Sequence, residues 1–198
     1  MPNHGKEFDQ YLTRLAELDL DDMNGSTRGL RGFCGAWKKA SKNPVFREAQ
    51  MAVADEMYYI PSQQIADELG LKTPLARGQM YDSIIQHGGY APEYDSLPAM
   101  ISRTRAYFRN RGEAETPKDG LFEQTWLQRF LLVRTDDLCH PANEDTREAW
   151  CESVSRVKSY QYAIKKKQMN FTTRLRALNN DGEEVKIRCD GSLMGTQT

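Results

Sequence analysis

One stretch constrains this chain more than any other: Thr73-Pro74-Leu-Ala-Arg-Gly-Gln-Met-Tyr81-Asp82-Ser-Ile-Ile-Gln-His87-Gly88-Gly89. It predicts a single helix with both ends marked. Thr73 can cap it, Pro74 suits the first helical position, and the glycine pair can take the left-handed turn that ends it. Leu75, Ala76, Met80, Tyr81, Ile84 and Ile85 make it apolar around most of its circumference, so it belongs inside a protein. One line on it is polar, because Gly78, Gln79, Asp82 and Gln86 recur at spacings of three and four. A carboxylate in a buried helix needs a partner, since an unpaired buried charge is too costly to keep.

The partner has to come from elsewhere in a chain of 198 residues, enough for one domain with a substantial core or for two small lobes. With 27 basic and 28 acidic residues the net charge is −1, and no bulk field advertises nucleic acid or an anionic membrane. No apolar run is long enough to cross a bilayer, and Met1-Pro-Asn-His-Gly-Lys-Glu-Phe8 lacks the apolar centre of a secretory signal. Cys34, Cys139, Cys151 and Cys189 show no CxxC spacing, which argues against a zinc site and leaves disulfides open. Asn170-Phe-Thr172 matches the glycosylation sequon.

In chain order, Lys6 to Leu18 predicts an amphipathic helix carrying Phe8, Tyr11, Leu12, Leu15 and Leu18. A loop from Asp19 to Gly29 precedes a short core helix with Leu30, Phe33, Cys34 and Trp37. Asn43-Pro44 opens a long helix to Tyr59 with Phe46, Ala49, Val53 and Met57 inward; Pro61 ends it and opens the next. After the Thr73 helix, Gly88 to Asp95 has turn composition, and Pro98 begins a helix with Met100, Ile101 and Phe108. Leu121 to Leu138 follows, its stripe made by Phe122, Leu127, Phe130 and Leu131. Asp145 with Glu148 predicts a capping box for a last helix to about Lys167. Leu175 to Cys189 then alternates on either side of Asn-Asp-Gly, the pattern of a β-hairpin.

Helical phasing places Arg134 on an inward face with Leu127, Phe130 and Leu131, and Arg156 on a narrow face with Ala149, Ser153, Tyr160 and Ala163. Asp82, Arg134 and Arg156 are thus three inward charges on separate helices. They read either as a structural ion-pair network or as a brace that orients a catalytic acid. His87, at the helix end, suits a packed or capping role better than that of a base. Tyr58, Tyr59, Tyr90 and Tyr94 could stack on sugar rings or simply pack. Trp37-Lys-Lys and Lys165-Lys-Lys167 read as solvated helix ends.

The ordered words carry more than the spacing does. Asn43-Pro-Val-Phe46-Arg-Glu-Ala-Gln50, Asp55-Glu-Met-Tyr58-Tyr59-Ile-Pro61, Gly70-Leu-Lys-Thr-Pro-Leu75 and Gln79-Met-Tyr81-Asp82-Ser-Ile-Ile-Gln-His87-Gly88 appear in turn. Trp126-Leu-Gln-Arg-Phe-Leu-Leu-Val-Arg134, Glu152-Ser-Val-Ser-Arg156-Val157 and Met169-Asn-Phe171 follow. Together they resemble the chitosanases of glycoside hydrolase family 46, and Gly32-Phe-Cys-Gly-Ala-Trp37-Lys-Lys resembles the fungal-type branch. The resemblance implies a mainly α, lysozyme-like, two-lobed α+β fold with a C-terminal β-hairpin, as a single domain over 1–198. Its helical part would be 6–168 and its hairpin segment 169–191.

The same resemblance implies endo-hydrolysis of β-1,4 bonds in chitosan with inversion, which needs two carboxyl groups about 6.5–9.5 Å apart. It implies no cofactor and no metal. It implies chitosan or glucosamine oligomers as the partner, neither nucleic acid nor membrane, a monomer, and an extracellular setting. Asp82, Arg134, Arg156 and His87 would form the network and substrate-binding residues of the cleft. The family's acid Glu and base Asp are expected upstream of Met1, so the chain reads as N-terminally truncated, with a non-catalytic chitosan-binding relic as the alternative.

Overall fold

The computed structural model describes residues 6–20, 25–89, 94–171 and 174–187. Tyr90, Thr172 and Cys189, each singled out above, lie outside them. The chain divides into two compact units, Met1–Met57 and Tyr58–Thr198.

In the first unit a 3-10 turn at Lys6–Phe8 leads into α1 (Asp9–Asp19), followed by α2 (Phe33–Ala40) and α3 (Pro44–Ala54). Asn43 caps α3 as its sequence suggests, its side-chain oxygen accepting from the Val45 N–H at 3.0 Å. The three helices meet through rings: Phe8 stacks on Phe46 at 5.3 Å, and Trp37 stands edge-on to Phe46 at 5.1 Å. Tyr11 packs edge-on against Phe33, and its hydroxyl donates to the Arg31 carbonyl.

The inward faces expected here are mostly not buried. Cys34 and Ala49 are exposed, and Trp37, Val53 and Met57 are 43%, 53% and 57% exposed. Among the described residues of this unit only Tyr11 and Ala40 are buried apolar groups. The ring cluster covers one edge of each helix, and so small a unit has too little interior to bury a full stripe on all three.

Residues Asp55–Tyr59 form one π turn that follows α3 and precedes α4 (Ile60–Leu69) in the chain. Pro61 was expected to separate two helices, yet it lies in the first turn of α4 with the helix continuous on both sides. Proline lacks an N–H and crowds the carbonyl four residues back, and the wider π turn relieves both problems.

The second unit contains α4, α5 (Pro74–His87), α6 (Leu97–Arg109), α7 (Glu123–Cys139), α8 (Arg147–Glu152) and α9 (Val154–Lys165). Strands β1 (Leu175–Leu178) and β2 (Glu184–Ile187) pair antiparallel, Leu175 opposite Ile187 and Leu178 opposite Glu184. Asn179 closes the hairpin turn by accepting from the Asp181 and Glu183 N–H groups. The architecture is therefore mainly helical with a small two-stranded sheet, as the sequence implied.

The core of this unit brings together Leu75, Ala76, Met80 and Ile84 of α5 with Trp126, Leu127, Phe130 and Leu131 of α7. Leu97, Met100 and Phe108 of α6 join them. Thr73 and Ser96 cap α5 and α6 from their hydroxyl oxygens, with a proline in each first turn.

Four expectations fail locally. Ile85 is 46% exposed and Phe122 69% exposed, the latter because α7 begins only at Glu123. Asp145 caps nothing; Asn143 does, accepting from the Asp145 N–H ahead of a 3-10 turn. The last long helix is two helices, divided at Ser153, whose hydroxyl donates back to the Trp150 carbonyl.

Candidate functional site

The polar line on α5 resolves into two separate rows. Gln79 is fully buried and donates to the Ser83 hydroxyl at 2.8 Å, four residues on and on the core side. Asp82, Gln86 and His87 instead face α7, and all three converge on one guanidinium. Arg134 donates from Nη1 to Asp82 Oδ2 at 2.5 Å, from Nη2 to Gln86 Oε1 at 2.7 Å, and from Nε to His87 Nε2 at 3.2 Å. Its side chain is completely buried. A buried cation must be matched on its own ground, and here three acceptors from a single helix do so.

Arg156 comes from α9 and donates from Nη2 to the other oxygen of Asp82. Three helices, α5, α7 and α9, are thereby joined through one carboxylate. Asp82 is largely covered, whereas Arg156 is 40% exposed, so the network has a buried side and a solvent-facing side. Tyr160, one turn after Arg156, is partly buried beside the group. Burial and the Asp82 charge push its phenol up to about 12, so it stays protonated. Burial lowers the pKa of Arg134, and the adjacent Asp82 carboxylate opposes that.

His87 has both ring nitrogens assigned by their neighbours. Nδ1 lies 2.9 Å from the Asp95 carbonyl, which can only accept, so Nδ1 carries the proton. Nε2 is then the lone-pair nitrogen that receives the Arg134 N–H. Burial, reinforced by the Arg134 charge, lowers its pKa to about 3. The imidazole is neutral at ordinary pH and serves as an acceptor, not as a proton carrier, which agrees with the packed role.

Around this centre lie groups that phasing did not reveal. Trp150 of α8 stands edge-on to His87 with ring centroids 5.1 Å apart. Gln86 donates to the Ser153 hydroxyl at 2.7 Å. The Asp95 carboxylate accepts from the Ala142 N–H at 2.9 Å. A disulfide joins Cys139, the last residue of α7, to Cys151 in α8. Gln86 could be found from its place in the polar line; Trp150 and Asp95 left no periodic signal. Asp137, one turn beyond Arg134, is a second buried carboxylate, paired with Arg103. Burial raises its pKa to about 7 against the pull of that arginine.

The tyrosines divide. Tyr94 is 57% exposed beneath the Arg103 guanidinium, and Tyr59 is 48% exposed, edge-on to Tyr81. Among the described residues no cluster of three or more His, Cys, Asp or Glu could hold a metal ion, and no helix is long and apolar enough to cross a membrane.

Residues 2–175 match the pattern of Glycosyl hydrolase family 46. Over 182 residues the chain is 42% identical to a chitosanase of Bacillus subtilis (strain 168), covering 91% of this chain and 62% of that protein. A mutant chitosanase from Bacillus subtilis MY002, solved in complex with 6 GlcN, superposes with a TM-score of 0.81 at 39% identity, over 95% of this chain and 74% of that one. The chitosanase of Gynuella sunshinyii with chitotetraose superposes with a TM-score of 0.78 at 38% identity, over 90% and 71% of the two chains. The chain thus spans under two thirds of the length of the Bacillus subtilis (strain 168) relative.

Proposed function

The chain belongs to glycosyl hydrolase family 46, and from that premise we propose that it serves the inverting endo-hydrolysis of β-1,4 bonds in chitosan. Asp82, Arg134 and Arg156 are the brace of that site, with His87 behind them. The observation that supports this reading is a charge imbalance: two guanidiniums share one carboxylate, and the outer one, Arg156, is still 40% exposed. A guanidinium has five N–H donors in a planar fork, more than one Asp82 oxygen can take from Arg156. The exposed side of the network therefore suits a second carboxylate, the catalytic acid, held ionisable and oriented beside the glycosidic oxygen.

The relatives solved with glucosamine oligomers support the substrate class. The reading takes the acid and base carboxyls from the part of the family fold not assigned to these residues. It places the protein outside the cell, as a monomer.

The test compares the 198-residue chain with a version joined at its N-terminus to the family's acid- and base-bearing segment. Glucosamine hexamer binding is followed by calorimetry, and reducing ends released from chitosan by a colorimetric assay. The expected result is binding by both forms, and hydrolysis with inversion only by the joined one. Absence of binding by either form overturns the proposal. Robust hydrolysis by the chain alone would move the catalytic carboxyls to its own Asp and Glu residues.

A further inference from the structure

The loop closed by the Cys139–Cys151 disulfide reaches His87 by two routes. Directly, the Trp150 indole packs perpendicular to the imidazole. Indirectly, the Ala142 N–H holds the Asp95 side chain, and the Asp95 carbonyl accepts from the His87 Nδ1–H. A third strand of the same circuit runs from Arg134 Nη2 to Gln86, from Gln86 to the Ser153 hydroxyl, and from that hydroxyl to the Trp150 carbonyl. Every path ends on the guanidinium that holds Asp82.

Helix α8 is too short to hold its own shape. It spans six residues, Arg147–Glu152, and its first turn has no side-chain cap. Isolated helices of that length are unstable in water. The disulfide fastens it to the end of α7, five residues beyond Arg134, so the cross-link fixes where Trp150 stands relative to that arginine. Cys151 is exposed, and the bond is open to solvent on that side.

We propose that Trp150, held in place by the Cys139–Cys151 disulfide, is a positioning residue for Asp82, acting through the His87 imidazole and the Arg134 guanidinium. The indole shields the ring from water on one face while Asp95 holds its proton on Nδ1. Nε2 is then left with one partner, the Arg134 Nε–H, and the guanidinium plane is set by it. The two remaining Arg134 bonds, to Gln86 and Asp82, follow from that plane because the guanidinium is rigid. Loss of the cross-link frees α8, lets water reach Nε2, and lets Arg134 turn away from Asp82.

This role matters for hydrolysis only if the proposed function holds, so the test reads the network itself first. Ring nitrogens of His87 and the Nε–H of Arg134 are followed by nitrogen NMR in the full chain. The forms compared are wild type, wild type treated with a phosphine reductant, Cys139→Ser/Cys151→Ser, Trp150→Ala and Trp150→Phe. In wild type the His87 proton is expected to stay on Nδ1, with a titration midpoint of about 3.

In the reduced protein, the cysteine variant and Trp150→Ala, the expected result is a mixture of ring tautomers. The midpoint should move toward the ordinary value of about 6.5, and the Arg134 Nε–H signal should broaden. Trp150→Phe, which keeps an aromatic ring at that position, should restore the wild-type signature. In a chitosan-hydrolysing version the reduced protein, the cysteine variant and Trp150→Ala should lower kcat and leave KM nearly unchanged, while Trp150→Phe should keep both near wild type.

If the reduced protein and both disruptive variants keep the wild-type ring signature while only their melting temperature falls, Trp150 and the disulfide are packing alone and the proposal is overturned. Should Trp150→Ala not fold, the reduced wild type and Trp150→Phe give the same decision. Absence of chitosan binding by wild type with the ring signature intact would count against the proposed function and leave the positioning role standing.

Discussion

Arg134 is the residue on which the site turns, because its burial is complete and its three acceptors come from one helix. Removing Asp82 leaves that charge underground without its anion, which should cost about 3–5 kcal/mol. Asp82→Asn and Arg134→Ala should each lower the urea midpoint, and the double variant should lose clearly less than the two losses added, since they act as one unit. Additive losses would dissolve the network into independent contacts. His87 and Asp137 make opposite predictions with pH. His87 falls from 6.5 to about 3 on folding, so its contribution to stability is full above 6.5 and is lost as pH drops toward 3. Asp137 rises from 3.8 to about 7, so its contribution is full below 3.8 and is lost as pH rises toward 7. Each has a slope of about 1.4 kcal/mol per pH unit, and between roughly pH 4 and 6.5 they cancel. Melting temperature should be nearly flat there in wild type, fall with rising pH in His87→Gln, and rise with pH in Asp137→Asn. Parallel profiles for the three proteins would refute this pairing.

The elements show which physical signals a sequence carries to the reader. Starts written by Asn43-Pro44, Thr73-Pro74 and the proline at 98 came out as expected, because cap and proline preferences depend on neighbours one to three residues away. Pro61 misled because its cost is relieved by a π turn, a geometry without a local signature. The charged triad was legible, since helical phase turns Asp82 and Arg134 inward before any contact is known, whereas Arg156, also expected inward, stays 40% exposed on the outer side of the network. Trp150, Asp95 and the disulfide were not, for their meeting at His87 depends on three separate segments folding back together. Glycines at element ends make a sharper contrast. Gly70 ends α4 at φ 76°, and an added Cβ would sit 2.6 Å from the Lys118 backbone nitrogen. Gly182 in the hairpin has φ 80° with open space around it. Gly182→Ala should cost only the left-handed penalty of about 1–2 kcal/mol, and Gly70→Ala distinctly more, because backbone must also move. Urea midpoints ranking them the other way would contradict the local packing described for α4.

The whole molecule is uneven in how well it is filled. In Tyr58–Thr198 the core holds large side chains with no exposure at all, Trp126, Phe130, Leu131 and Met80 among them. In Met1–Met57 the aromatic cluster is partly open, and among described residues only Tyr11 and Ala40 are buried apolar groups. Each fully buried large apolar side chain contributes about 1.5–3 kcal/mol, so the second unit has several times the stabilisation available to the first. The inward faces predicted for α2 and α3 failed for this reason, while α1 keeps Tyr11 buried: periodicity reports that a helix has an apolar side, not that its unit packs enough side chains over it. Such a chain should not melt as one. Amides of α1, α2 and α3 should exchange with solvent at lower free energy than those of α5 and α7, as local opening follows sparse burial. Trp37 fluorescence, isolated by replacing Trp150 with Phe and reading Trp126 as the buried reference, should change at a lower urea concentration than the loss of helical signal from the second unit. Protection that is equal across both units, with a single coincident transition by both probes, would show that the first unit draws its stability from a source other than its own core.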